Sequence, residues 1–81
     1  MKRMKIEIES TTKIVELKVD GNYVPARIWT GKTESGIPVH CYVTRVAVAN
    51  DIGDHSEFLR ELSEHRTPTA EIDAIPLRLV L

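Results

Sequence analysis

Arg27, Trp29, His40 and Tyr42 are the side chains with the most chemistry to offer at compatible spacings. Arg27 and Trp29 alternate along one β-forming run and His40 and Tyr42 along the next, so each pair occupies one face of its strand. Indole and phenol rings give stacking surfaces, and arginine gives a planar fork for phosphate or carboxylate. With Tyr23 and Thr44 at one end, these are the parts of a nucleotide site. Arg45 and Arg78 add two anion ligands if the chain near Thr44 and the last strand lie close together. The alternative is structural: Trp29 and Tyr42 bury themselves against a second copy or the N-terminal strand, and Arg27 pairs with Glu16 across a hairpin. On that reading Arg45 and Arg78 are solvated strand residues or ion-pair partners.

Other combinations fall short of a reaction. Gly31-Lys32-Thr33 resembles the end of a phosphate-binding P-loop, but Ala26 stands where that pattern needs glycine and a strand follows where a helix should. His40 and Cys41 are strand neighbours and point to opposite faces, so they cannot share a proton; Cys41 is expected to fill core space. His55-Ser56-Glu57 has the H-x-E spacing of zinc deaminases without their P-C-x-x-C partner. Glu57, Glu61 and His65 fall at helical i, i+4 spacing and read as a solvated helix face, so neither a metal nor a cofactor is expected. Ser10, Ser35, Ser56 and Ser63 lie outside any nucleophile-elbow motif. The sequence therefore predicts a protein that is not an enzyme.

The elements that must position Arg27 and Trp29 follow from the apolar pattern. Lys13 to Val19 alternates, with Val15, Leu17 and Val19 on one face, and ends at Asp20-Gly21-Asn22, which suits a two-residue hairpin turn. Tyr23 to Thr30 then carries Val24, Ala26 and Ile28 inward; Pro25 requires an edge, a bulge or an unpaired N–H side. A loop from Gly31 to Gly36 is expected to set Thr30 opposite Ile37, Ile28 opposite Val39, Ala26 opposite Cys41 and Val24 opposite Val43. On that register Arg27, Trp29, His40 and Tyr42 share the outer face. The third segment, Ile37 to Ala49, needs a bulge near Thr44-Arg45 to turn Arg45 outward.

Asp54-His55-Ser56-Glu57 matches a capping box and predicts a helix from His55 to His65, with Phe58, Leu59 and Leu62 covering the inner sheet face. Thr67 or Thr69 caps a single turn through Ala70 to Ala74, with Pro68 at its start. Ile75 to Leu81 reads as a last strand that should pair inside the sheet or with another subunit. The expected fold is α+β: an antiparallel meander of three to five strands, one helix on one face and a C-terminal strand, in a single domain over residues 1–81.

Composition narrows the setting. An 81-residue chain buries only about 60–65% of its unfolded surface, so its core is thin and oligomerisation is a natural source of added stability. One cysteine excludes an internal disulfide and any thiolate-rich zinc site. Eleven basic and twelve acidic side chains are interspersed, which gives no field for long nucleic acid. No apolar run reaches the roughly 20 residues that span a bilayer. The N-terminus lacks a signal-peptide core, and the cytoplasm is the expected location.

Thr11 to Val15, Val24-Pro25-Ala26-Arg27-Ile28-Trp29-Thr30-Gly31, Ser35 to Val39, Thr44 to Val48 and Ala74 to Leu79 together resemble small phage- or prophage-encoded proteins without an assigned enzymatic activity. Such proteins include counter-defence factors, some of which sequester nucleotide immune signals in oligomeric sponges, as the Thoeris anti-defence and anti-CBASS families do. The resemblance implies a viral protein of the host cytoplasm. The combined expectation is a homo-oligomeric binder of a cyclic nucleotide or ADP-ribose-type signal, using Arg27, Trp29, His40, Tyr42, Arg45 and Arg78. The alternative is an interaction module, an inhibitor or assembly component, that holds a host or phage protein through its sheet face or C-terminal strand.

Overall fold

The computed structural model describes residues 3–49 and 55–80. Its elements are β1 (Ile6–Val19), β2 (Asn22–Thr33), β3 (Pro38–Val43), α1 (Ser56–Leu62), α2 (Ala70–Asp73) and β4 (Arg78–Val80). The fold is α+β: a four-stranded sheet in the order β3-β2-β1-β4, antiparallel through β1, β2 and β3, with β4 parallel to β1.

The first hairpin follows from its turn. Asp20 and Gly21 both have positive φ, 49° and 82°, the pair of left-handed conformations that a type I′ turn requires. This sets Leu17 opposite Val24 and Val15 opposite Ala26. Val15, Leu17, Ala26 and Ile28 form the core with Ile72 of α2, while Ile75 and Leu79 pack against it. The predicted core face therefore holds for Val15, Leu17, Ala26 and Ile28, whereas Val24 is half-buried and Val19, beside the turn, is exposed.

β1 begins earlier than its alternation from Lys13 suggests, because a bulge interrupts it. Ser10 pairs with Trp29 and Ile14 with Arg27, so Thr11, Thr12 and Lys13 together oppose Ile28. Thr11 is buried, and its Oγ1 donates to the Ile28 carbonyl at 2.6 Å, supplying the donor that a regular strand would supply from its backbone. The outer edge of β1 is also occupied. Before the bulge it meets Arg66, with Thr12 N–H donating to the Arg66 carbonyl at 3.0 Å and Arg66 N–H to that of Ser10 at 2.9 Å. After the bulge, Glu16, Leu17 and Lys18 pair with Arg78, Leu79 and Val80, so the C-terminal strand does pair inside the sheet.

The second hairpin departs from the expected register. β2 continues through Gly31 to Thr33, and the turn is only Glu34-Ser35-Gly36, closed by Thr33 N–H donating to the Ile37 carbonyl at 2.9 Å with Gly36 at φ 90°. This is the three-residue loop with a left-handed last residue. Thr30 consequently pairs with His40 rather than Ile37. A shift by an odd number of residues moves every side chain of β3 to the other face. Val39, Cys41 and Val43 thus lie on the Trp29 face, and His40 and Tyr42 on the Ile28 face.

Gly31 is not a loop residue because β1 runs tight against it: a Cβ there would fall 1.8 Å from the Glu7 carbonyl oxygen. β3 ends at Val43 opposite Arg27, and residues 44–49 leave the sheet without a bulged continuation. Pro25 lies beyond that end, in the part of β2 that β3 does not cover, which accommodates its missing N–H.

α1 is shorter than expected. His55 takes the N-cap place and Ser63 ends the helix; Asp54, the expected cap, lies outside the described residues. None of its residues is buried, and Leu59 is 60% exposed, so α1 does not cover the core face. That task falls to α2, a single turn whose Thr69 cap accepts from Ile72 N–H at 3.3 Å and whose Ile72 is fully buried. Lys13, in the bulge, donates to the Asp73 carbonyl at 3.0 Å at the other end of the turn. Among the described residues no helix is long and apolar enough to cross a membrane.

Candidate functional site

The face of the sheet opposite the core carries Ser10 and Ile14 of β1, Arg27 and Trp29 of β2, and Cys41 and Val43 of β3. α1 and the irregular segment after β3 border this face and leave two adjoining cavities, of about 370 Å³ and about 320 Å³. Trp29, Val46, Leu62 and His65 line both. Trp29 is half-buried, so part of its indole remains available as a stacking surface.

The two cavities differ in charge. The larger one adds Phe58, Glu9, Glu61, Glu64 and Arg66. Its carboxylates are partly neutralised: Arg66 pairs with Glu9, and Arg60 pairs with Glu57 and with Glu64, the latter at 2.9 Å. The Glu57 hydrogen bond, followed by the Glu64 charge, raises the pKa of the Arg60 guanidinium above its ordinary value. The smaller cavity adds Ile14, Pro25, Arg27, Val43, Thr44 and Arg45. Its fully charged side chains are both arginines, with the His65 imidazole beside them.

Arg27 is positioned by the bulge. Its Nη1 donates to the Thr11 carbonyl at 2.8 Å, which fixes one branch of the guanidinium and leaves the planar group with further N–H donors. The expected Arg27–Glu16 pair does not form. Arg78 takes that carboxylate, with Nε donating to Glu16 Oε2 at 3.1 Å, and its guanidinium lies 5.0 Å from the Tyr23 ring centre.

His65 is the site residue that sequence spacing misplaced. It lies beyond the end of α1, not in line with Glu57 and Glu61, and its Nδ1 is 2.7 Å from Ser10 Oγ. The Ser10 hydroxyl also donates to the Glu64 carbonyl at 3.1 Å. The imidazole tautomer sets which of Ser10 Oγ and His65 Nδ1 donates across their contact. Ser10 and His65 are 55 positions apart, and no local spacing could have joined them.

Of the six expected ligand residues, the fold brings Arg27, Trp29 and Arg45 to one cavity. His40 and Tyr42 are separated from them by the sheet, because of the register shift, and Arg78 is held by Glu16 and Tyr23. Cys41 is half-buried beside Trp29 instead of in the core. Val46, Phe58, Leu62 and His65 complete the site in their place. Among the described residues no group of three or more His, Cys, Asp or Glu side chains is arranged to hold a metal ion.

Compared with known proteins, the chain matches no family model, no curated protein and no solved structure.

Proposed function

We propose that this chain is a non-catalytic binding protein that takes a nucleotide-type anion, of the cyclic nucleotide or ADP-ribose class, in the cleft around Trp29. The observation that carries the reading is the meeting of Arg27, Trp29 and Arg45 at one cavity whose fully charged side chains are both basic. A phosphate fits beside the two guanidinium groups, where charge-assisted hydrogen bonds are stronger than neutral ones. A base fits against the indole, in the apolar part that Val46, Leu62 and Phe58 provide. Sequestration of such a signal is the anti-defence role that the resemblance to small phage proteins suggests.

The non-catalytic part is supported by the burial of the serine that has a histidine beside it at this cleft: Ser10, 2.7 Å from His65 Nδ1, is only 9% exposed, a poor position for a nucleophile that must reach a substrate. Calorimetry against cyclic di- and trinucleotides, cyclic ADP-ribose isomers and ADP-ribose tests the proposal. Micromolar binding that weakens with salt is expected, and silence across the panel sinks it. Silence together with a host protein retained from nuclease-treated lysate would favour the interaction module instead.

A further inference from the structure

We infer that the outer edge of β3 pairs antiparallel with the same edge of a second copy of this chain, across a two-fold axis at Cys41. The inference is independent of the ligand reading and rests on the two edges of the sheet. On one side β4 is three residues long, follows Pro76 and begins with exposed Arg78, which are devices that discourage pairing. On the other side β3, Pro38-Val39-His40-Cys41-Tyr42-Val43, also begins with a proline but is twice as long and contains no charged residue, and neither Ile37 before it nor Thr44 after it supplies one.

Hydrogen-bond parity selects the register. The Thr33 N–H to Ile37 carbonyl bond starts a ladder of period two, so Val39, Cys41 and Val43 bond toward β2 while Pro38, His40 and Tyr42 face outward. An axis at Cys41 sets His40 opposite Tyr42 of the second copy and Tyr42 opposite its His40. Both the N–H and the C=O of each then find partners. Moving the axis to His40 would set Tyr42, within the strand, opposite Pro38, which has no N–H to give, whereas the axis at Cys41 sets Pro38 opposite Thr44, beyond the end of β3.

The side chains agree with this register. It sets imidazole against phenol twice on one face, and Val39 against Val43 twice on the other, so no like charges meet. Tyr42 is 37% exposed in the single chain and becomes covered. Cys41 meets Cys41 of the second copy as a non-hydrogen-bonded pair, with Cα atoms roughly 4.5 Å apart, at the short end of the roughly 4.4–6.8 Å range that a disulfide spans. The two Trp29 clefts then open on the same face of one continuous sheet.

Sedimentation velocity without nucleotide, at about 100 µM protein, tests the pairing, since assembly is concentration-dependent. The expected result is a dimer. Oxidation with diamide, which accepts two electrons and two protons as two thiols join, should cross-link it through Cys41, and Cys41→Ala should abolish the cross-link. His40→Pro removes an outward N–H while sparing the β2 ladder, and Tyr42→Lys places charge at the axis. Each folded variant, checked by circular dichroism, should dissociate at least tenfold more readily. A monomer at that concentration, a dimer that diamide does not cross-link, or a folded variant that dimerises like the wild type would overturn the inference.

Discussion

The hydroxyl of Thr11 donates a 2.6 Å hydrogen bond to the main-chain carbonyl of Ile28, and this contact joins the core of the domain to its cleft. The bulge it stabilises turns β1 so that Val15 and Leu17 enter the core below it, while Ser10 above it faces Trp29. The Thr11 carbonyl in turn receives the Arg27 guanidinium. Thr11→Val keeps the shape and removes the donor, leaving the buried Ile28 carbonyl unsatisfied at a cost of about 1–3 kcal/mol. Thr11→Ser keeps the bond and should cost less, about 1 kcal/mol for the lost methyl. Urea denaturation of the two variants checks the order.

Gly31 and Gly21 should respond differently to alanine. At Gly31 the new Cβ would meet the Glu7 carbonyl oxygen at 1.8 Å, and backbone cannot move aside as a side chain does. Gly31→Ala should lower stability by about 3 kcal/mol or more. At Gly21 the surrounding space is open and only the positive φ of 82° resists, so Gly21→Ala should cost about 1 kcal/mol. Thermal denaturation of both variants distinguishes a clash from a conformational penalty.

Ile72 is the sole buried residue of a four-residue helix. Ile72→Ala should destabilise by about 2–5 kcal/mol, because it removes the lid of a core that otherwise comprises Val15, Leu17, Ala26 and Ile28. Thr69→Ala, which deletes the cap of the same turn, should cost about 1 kcal/mol. Chemical denaturation should rank the two in that order; equal effects would mean that α2 is held by its cap and not by its buried side chain.

Arg45 and Arg27 both line the cleft, but only Arg27 also holds the bulge. Arg45 is exposed, so Arg45→Ala should change stability by no more than about 0.5 kcal/mol while weakening nucleotide binding at least about tenfold, roughly 1.4 kcal/mol. Arg27→Ala should lose binding and stability together. Calorimetry paired with thermal denaturation separates these two behaviours.

The sequence made the first hairpin legible because each of its determinants is local: the alternation of Val15 and Leu17, the Asp20-Gly21 turn, and the matching face of Val24 and Ala26. The second hairpin was not, since Gly31 serves a close approach by Glu7 that lies far off in sequence, and reading it as loop shifted β3 by an odd number of residues. That single error sent His40 and Tyr42 to the wrong face. Trp29, Arg27 and Arg45 survived it because their placement depends on β2 and on the chain leaving the sheet after Val43. His65 was out of reach, as its partner Ser10 is separated from it in sequence by the whole meander. The C-terminal strand announced itself by composition, but its parallel partner, the second half of β1, is fixed only once the bulge leaves that edge open.

Trp29 is the only tryptophan in the chain, so its fluorescence reports on the cleft and nowhere else. Titration with the cyclic nucleotide and ADP-ribose panel should give a saturable change in Trp29 emission at micromolar concentrations, lost in Arg45→Ala. An emission spectrum that stays unchanged up to about 1 mM of every ligand, the weak end of specific recognition, would contradict the assignment of this cleft as a nucleotide site.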